Sequence, residues 1–402
     1  MTDIVVVGAG QAGASLVAEL RKQGFDGRLT LIGAEPVPPY QRPPLSKGYL
    51  TGDLDRERLF LRPERFYEEN DIALHLGAPV DRIDRAGKTL RVAGRDVPYD
   101  RLALVTGSVP RRLPADIGGN LTGVFVLRSL ADVDAMAGAF KPGARALVVG
   151  GGYIGLEAAA VARKLGVEVT LVEAAERILQ RVAAPETAAF FRDLHKRHGV
   201  DLREGVGVRR LTGDGRVTGA DLSDGSHLTV DFVIVGIGIL PETGLARAAG
   251  LEIDNGIAVD AQGRTSDPAI WAAGDCCSFP LDGGRIRLES VPHAIEQAEC
   301  VARNMLGANE AYVPRPWFWS DQYDVKLQIA GLCAGYDRAV TRPGTGESLS
   351  VWYFAGQRLL AVDAMNAPRA YMVGKRLIEG GHAPPPEAVA DPDTDLKALL
   401  AR

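Results

Sequence analysis

The sequence predicts an α/β fold, with two Rossmann-like nucleotide-binding domains followed by a C-terminal α+β domain. Three observations predict it. One unit of strand, glycine turn, helix and second strand ending in an acid occurs twice, as "IVVVGAGQAGASLVAELRKQGFDGRLTLIGAE" and "LVVGGGYIGLEAAAVARKLGVEVTLVE". The chain has 402 residues, enough for two or three domains. From Pro316 onward the texture changes to alternating strands and then a helical run.

The first copy carries Gly8, Gly10 and Gly13 and ends at Glu35; the second carries Gly150, Gly152 and Gly155 and ends at Glu173. Each glycine has its own physical task. The first lets the chain turn sharply after the strand, the second removes a Cβ where a pyrophosphate must approach the backbone, and the third lets helix and sheet pack closely. The helix N-terminus then directs its positive dipole end at the phosphates, and the acid accepts hydrogen bonds from ribose hydroxyls. Two dinucleotides in one chain suggest a flavin that stays bound and a nicotinamide that comes and goes, delivering a hydride.

Composition narrows the alternatives. Apolar residues make up 46% of the chain, so sizeable cores are expected, and a net charge of −5 gives no basic face for nucleic acid. The longest apolar run, residues 232–240, is too short to span a membrane, and the N-terminus lacks a basic leader, so a cytoplasmic protein is expected. The cysteines are Cys276, Cys277, Cys300 and Cys333. They form no C-x-x-C or C-x-x-x-x-C pair, so neither a dithiol motif nor a metal site is expected, and the thiols read as buried and structural.

In chain order, residues 1–112 and 241–315 are expected to form the first nucleotide domain, 113–240 the second, and 316–402 the third. The proline-rich "PVPPYQRPPLSKGYLTGD" excludes a regular helix and reads either as a solvated surface loop or as a stiff loop presenting Arg42 and Lys47. Residues 72–107 read as hairpin-like strands returning to the main sheet, ending at Thr106-Gly107. Arg128 precedes a helix that Ser129 can cap. The run "DFVIVGIGILP" is a buried strand opening onto a turn at Gly236. A further strand ends at Gly274-Asp275, and a helix begins at Pro292 or His293, where its N-terminus can stabilise negative charge. His293 reads as a polar neighbour rather than an acid–base group. Of the tryptophans between Pro316 and Trp352, most are expected in the core. Beyond Pro384 lies a Pro- and Asp-rich tail with a short helix.

Taken together, "GAGQAG", "YQRPPLSK", "VTGSVPR", "GGGYIGLE", "TSDPAIWAAGD", "ESVPHAIEQA" and "PWFWSDQ" resemble, over nearly the whole chain, the bacterial FAD-dependent ferredoxin reductases of the glutathione-reductase-like flavoprotein superfamily. The resemblance implies FAD contacts at Gly8, Gly10, Ala12, Gly13, Glu35, Arg42, Lys47, Val80, Thr106, Arg128, Asp275, Val291 and Trp319. It implies NADH contacts at Gly150, Gly152, Ile154, Gly155, Glu173 and Gly236. Lys47 matches a lysine beside the reactive flavin nitrogen, paired with a glutamate that falls on Glu157; these two are the catalytic candidates. Trp319 matches a tryptophan where an iron–sulfur partner docks. The chain departs from one member's pattern at His293, where that member has asparagine, and at Glu299, where it has arginine.

The implied activity is NADH-dependent reduction of a [2Fe–2S] ferredoxin that feeds a monooxygenase or ring-hydroxylating dioxygenase, by a monomer or homodimer. A rubredoxin is the alternative acceptor. With no redox cysteine pair after the first turn, electrons are expected to leave through the flavin itself. An NADH oxidase or peroxidase would need a reactive cysteine in the N-terminal region, yet none precedes Cys276. A protein like apoptosis-inducing factor would carry a long targeting segment and a basic surface.

Overall fold

The computed structural model describes residues 2–401. The chain forms two compact units, one built from Met1–Gln41, Asp55–Val109 and Ile239–Arg315, the other from Arg42–Leu54, Pro110–Gly238 and Pro316–Arg402.

The first unit is organised on a five-stranded parallel sheet in the order Ile270–Ala272, Arg101–Leu104, Asp3–Val7, Arg28–Ile32, Ile72–His75. Asp3–Val7 is central and pairs on both sides, so its apolar run Ile4-Val5-Val6 is almost wholly buried. Each such side chain removed from water contributes about 1.5–3 kcal/mol. The helix Gln11–Lys22 buries Leu16, Val17 and Leu20 against Ala294, Ala298, Val301 and Met305 of the helix Val291–Met305. That second helix starts one residue before the expected Pro292, because Ser290 caps it by accepting the N–H of His293. The stretch 72–107 divides differently from the expectation. Ile72–His75 and Arg101–Leu104 join the main sheet as parallel strands, whereas Val80–Asp84, Thr89–Val92 and Arg95–Pro98 form a separate antiparallel sheet.

The second unit repeats the plan. Its parallel sheet runs Asp201–Glu204, Glu168–Glu173, Arg145–Val149, Phe232–Val235, Val124–Val126. An antiparallel three-stranded sheet, Val208–Thr212, Gly219–Leu222 and His227–Thr229, is inserted before Phe232–Val235. The C-terminal part is a five-stranded antiparallel sheet in the order Trp317–Gln322, Val325–Gly331, Arg358–Met365, Leu349–Ala355, Arg338–Pro343, with the helix Pro368–Glu379 on it. One core joins both sheets of this unit: Ala184, Ala188 and Phe191 pack with Leu327, Val351 and Tyr353. Below it, Asp363 is almost fully buried and accepts hydrogen bonds from the hydroxyls of Thr187 and Tyr353; burial raises its pKa to about 6.

One expectation about packing fails here. Among the tryptophans of the last 90 residues only Trp352 is core; Trp317 and Trp319 are half-buried and stack on each other at 5.5 Å. Of the two readings of the proline loop, burial excludes the solvated one: Val37, Pro38, Pro39, Tyr40, Leu45 and Ser46 are buried, and Pro43–Ser46 forms a short 3-10 turn.

Candidate functional site

The two glycine turns differ in what surrounds each glycine. In the first unit a Cβ on Gly8 would lie 2.2 Å from the Val105 carbonyl oxygen, and one on Gly13 would lie 2.0 Å from that of Gly8. A Cβ on Gly10 would meet nothing within 4 Å. The second turn reproduces this: an added Cβ would lie 2.4 Å from the Gly236 carbonyl oxygen at Gly150 and 2.0 Å from that of Gly150 at Gly155, and would meet nothing within 4 Å at Gly152. The outer glycines are therefore packing glycines, and the middle one borders a space that the protein leaves unfilled. Gly10 and Gly152 are the N-caps of the helices Gln11–Lys22 and Tyr153–Lys164, and neither helix start has a side-chain cap. The helix Leu130–Ala137, by contrast, is closed by a Ser129–Asp132 capping box. Uncapped N–H donors around an open glycine fit a pyrophosphate at both turns.

Both acids have fixed hydrogen-bond partners. Glu35 accepts the phenol of Tyr40 at 2.6 Å. Glu173 accepts the N–H of Gly151 at 2.7 Å with one oxygen and that of Ala175 at 2.8 Å with the other. A carboxylate has about four acceptor positions, so lone pairs remain for ribose hydroxyls.

Near the first turn, Ala12 sits in the first turn of its helix and packs under Gly274, whose added Cβ would come 3.3 Å from the Ala12 methyl. Asp275 accepts the Ser108 hydroxyl at 2.8 Å, and Thr106 donates to the Glu242 carbonyl at 2.6 Å. Val80 opens its strand half-buried, and Val291 is the first residue of its helix. His293 is buried, stacks on Phe279 and contacts the Tyr312 hydroxyl at 3.0 Å through Nδ1. Burial lowers its pKa to about 4, so it is neutral at neutral pH.

In the second unit, Ile154 and Ile237 present apolar side chains 42% and 37% exposed around the second turn. A Cβ added to Gly236 there would lie 3.3 Å from the Gly155 backbone. Lys47 and Glu157 are brought together, Nζ to Oε2 at 2.6 Å, with Glu157 buried and Lys47 partly exposed. The Ser46 hydroxyl also donates to Oε2 at 2.6 Å, and the Ser320 hydroxyl donates to Oε1 at 2.7 Å. Arg42 donates to the carbonyl of Arg128 at 2.7 Å. Ser46, Ser108, Tyr40 and Ser320 were not singled out by the sequence. All four act through spatial neighbours, three of them more than 100 residues away.

All four cysteines are free thiols, three of them buried and Cys333 half-buried. Burial raises the pKa of each, well above the ordinary value for Cys277, which removes thiolate character. Among the described residues, no helix is long and apolar enough to cross a membrane.

Two parallel-sheet turns of this kind, each with an open middle glycine and an acid, define an oxidoreductase of the two-dinucleotide class. The chain belongs to the pyridine nucleotide-disulphide oxidoreductase family, whose model matches residues 2–298, and a reductase C-terminal domain matches residues 317–400. Its relatives include the rhodocoxin reductase of Rhodococcus erythropolis, 43% identical over 99% of this chain and 94% of that one. A ferredoxin–NAD(P)+ reductase of a Sphingomonas species is 45% identical over 99% of this chain and 97% of that one. Among solved structures, the reductase in a covalent putidaredoxin reductase–putidaredoxin complex superposes with a TM-score of 0.96 at 40% identity, covering 99% of this chain and 98% of that one.

Proposed function

We propose that this chain is an NADH-dependent ferredoxin reductase that carries FAD and passes electrons singly to a [2Fe–2S] ferredoxin serving a monooxygenase or a ring-hydroxylating dioxygenase, in the cytoplasm. The observation that carries the reading is the pair of open glycine turns in a chain whose four thiols have pKa values raised by full or partial burial. The full-length relatives named as ferredoxin and rhodocoxin reductases support it. What the two groups supply when bound is hydride delivery from NADH and single-electron release from the flavin.

The chain's own residues have separable tasks in this reading. Residues 1–112 and 241–315 hold FAD, 113–240 hold NADH, and 316–402 form the third domain. Gly8, Gly10, Ala12 and Gly13 shape the FAD pyrophosphate cradle. Glu35 takes the adenosine ribose, and Asp275, fixed by Ser108, takes the ribityl chain. Arg42, Val80, Thr106, Arg128, Val291 and Trp319 complete the contacts. Gly150, Gly152, Ile154, Gly155 and Gly236 seat NADH, and Glu173 orients its ribose. Lys47, held on Glu157, provides a fixed positive charge at the flavin. No cysteine takes part, since a buried neutral thiol is a poor nucleophile.

The test is steady-state and anaerobic. NADH should reduce a [2Fe–2S] ferredoxin through the purified yellow protein, faster than it reduces rubredoxin or oxygen. Rapid NADH oxidation by oxygen with no ferredoxin reduction would overturn the reading.

A further inference from the structure

The strand Trp317–Gln322 buries two polar side chains, Ser320 and Gln322, each with no exposed surface. The helix Pro185–Arg197 buries His195 equally completely. Buried polar groups need partners, and these form one chain. Ser320 Oγ lies 2.7 Å from Glu157 Oε1, Gln322 Nε2 lies 3.2 Å from Ser320 Oγ, His195 Nε2 lies 2.8 Å from Gln322 Oε1, and Tyr323 Oη lies 3.3 Å from His195 Nδ1.

The direction of every bond follows from donor inventory. The Glu157 carboxylate can only accept, so the single Ser320 hydroxyl proton points at it. Ser320 then accepts from the Gln322 amide N–H, which leaves the Gln322 carbonyl facing His195. His195 must donate from Nε2, so its Nδ1 is an acceptor and the Tyr323 hydroxyl donates to it. Burial lowers the His195 pKa to about 4, so the ring is the neutral tautomer that this chain needs. All donors point toward Glu157, and bonds aligned this way polarise one another.

The far end is held firmly. Tyr323 has a left-handed backbone, with φ of 55°, at the tip of the hairpin. A bulky residue enters that region only where its surroundings fix it. Here Tyr323 stacks on His198 with ring centroids 3.6 Å apart and planes at 6°.

We propose that Ser320, Gln322 and His195 are positioning residues that hold the Glu157 carboxylate, and through it the Lys47 ammonium, in one place. This rests on the reading of Lys47 given above only for its consequence in catalysis; the positioning itself is a property of the chain. Ser320 and Gln322 lie in "WSDQ", next to Trp319 but facing the opposite side of the strand.

Competitive acetylation of the flavin-bound protein with a trace of acetic anhydride tests the proposal. Mass spectrometry reads Lys47 against Lys22 and Lys164, whose side chains are 72% and 65% exposed. In Ser320→Ala the relative labelling of Lys47 should rise about tenfold, the factor carried by one hydrogen bond to a charged group. In Gln322→Leu and His195→Phe it should rise about threefold, since each removes a neutral link one or two steps away. His195→Gln, which keeps a donor in reach of Gln322, should restore the wild-type value. Thr187→Val, which disturbs the same unit's core without touching the chain, should leave Lys47 unchanged. Unchanged Lys47 labelling in folded Gln322→Leu and His195→Phe overturns the proposal, and so does an equal rise in Thr187→Val. Stopped-flow reduction of the flavin by NADH separates the two readings: greater labelling with an unchanged rate keeps the positioning and removes Lys47 from catalysis.

Discussion

At Gly10 and at Gly152 the protein leaves open space where a Cβ would go, whereas a Cβ added at Gly8, Gly13, Gly150 or Gly155 would come within 2.4 Å of a backbone oxygen. The two turns share this division of labour, and they differ at the acid. Glu35 accepts a phenol from the loop that follows it. Glu173 accepts the N–H of Gly151 and so is tied into the glycine turn itself. With Glu173 orienting the NADH ribose, as proposed, recognition and the shape of the second turn would depend on one carboxylate. On that reading, replacing Glu173 to alter cofactor choice also removes its hydrogen bonds to the turn.

The largest effects should come from the open glycines. Gly10→Val should fold, because a Cβ there meets nothing within 4 Å, but purify without FAD. Gly152→Val should keep its flavin and raise the KM for NADH by about a hundredfold, ~3 kcal/mol. Gly8→Ala should instead fail to fold stably, since φ is +121° and its Cβ would lie 2.2 Å from a carbonyl oxygen. Flavin content and thermal melting read all three, and a colourless, unfolded Gly10→Val would erase the distinction between packing and open glycines.

Next comes nucleotide choice. A 2′-phosphate would set its charge against Glu173, a penalty of ~2 kcal/mol at an open site, so kcat/KM should favour NADH over NADPH by about thirtyfold. Glu173→Ala alone should lower kcat/KM for both nucleotides, by about tenfold for NADPH, because two backbone hydrogen bonds of the turn are lost. Adding Ala174→Arg should shrink or reverse the preference. Kinetics with a saturating artificial acceptor measure this, and undiminished NADPH use by Glu173→Ala would separate the acid from the cradle.

The third effect asks whether the second unit also carries the outlet. Trp319→Ala should slow ferredoxin reduction by about tenfold, as hot-spot tryptophans do, and ferricyanide reduction much less. Equal slowing of both acceptors would assign Trp319 to packing.

The smallest difference is in acid sensitivity. His293 in the first unit and His195 in the second titrate at about 4, below the 6.5 of an unfolded chain. Each therefore contributes stability that is present above pH 6.5 and is lost as pH falls through about 4, at most ~3 kcal/mol apiece. Asp363 in the second unit is raised from 3.8 to about 6, so its contribution is present below pH 3.8 and lost as pH rises through about 6. On acidification it opposes His195, and the first unit should loosen sooner. Hydrogen exchange of the two units at pH 7 and pH 5 would show it, and Asp363→Asn should remove the second unit's advantage.

The twin turns were legible in the sequence because strand, turn, helix and acid are local and ordered along the chain. The helix cap at Ser129 and the buried strand Phe232–Val235 were legible for the same reason. What escaped depends on pleat parity and on distant partners. Reading the tryptophans of "PWFWSDQ" as core puts Ser320 and Gln322 outside; in a strand one residue reverses every side, and the fold has Ser320 and Gln322 inside with Trp317 and Trp319 half-exposed. The clamp of Glu173 on Gly151 spans a whole helix and strand, and no local spacing signals it.

The first unit is assembled from three separated stretches, and this bears on how the protein is made. Its central sheet needs Ile270–Ala272 to cover Arg101–Leu104, yet that strand leaves the ribosome about 170 residues after the one it pairs with. At ~5–20 residues per second the interval is about 8–35 s. Through it the newborn sheet has an open hydrophobic flank, with unpaired N–H and C=O groups able to recruit a neighbouring chain. A message truncated between the two strands should yield an insoluble product, and slow translation of the middle third should call on chaperones more than slow translation of the last.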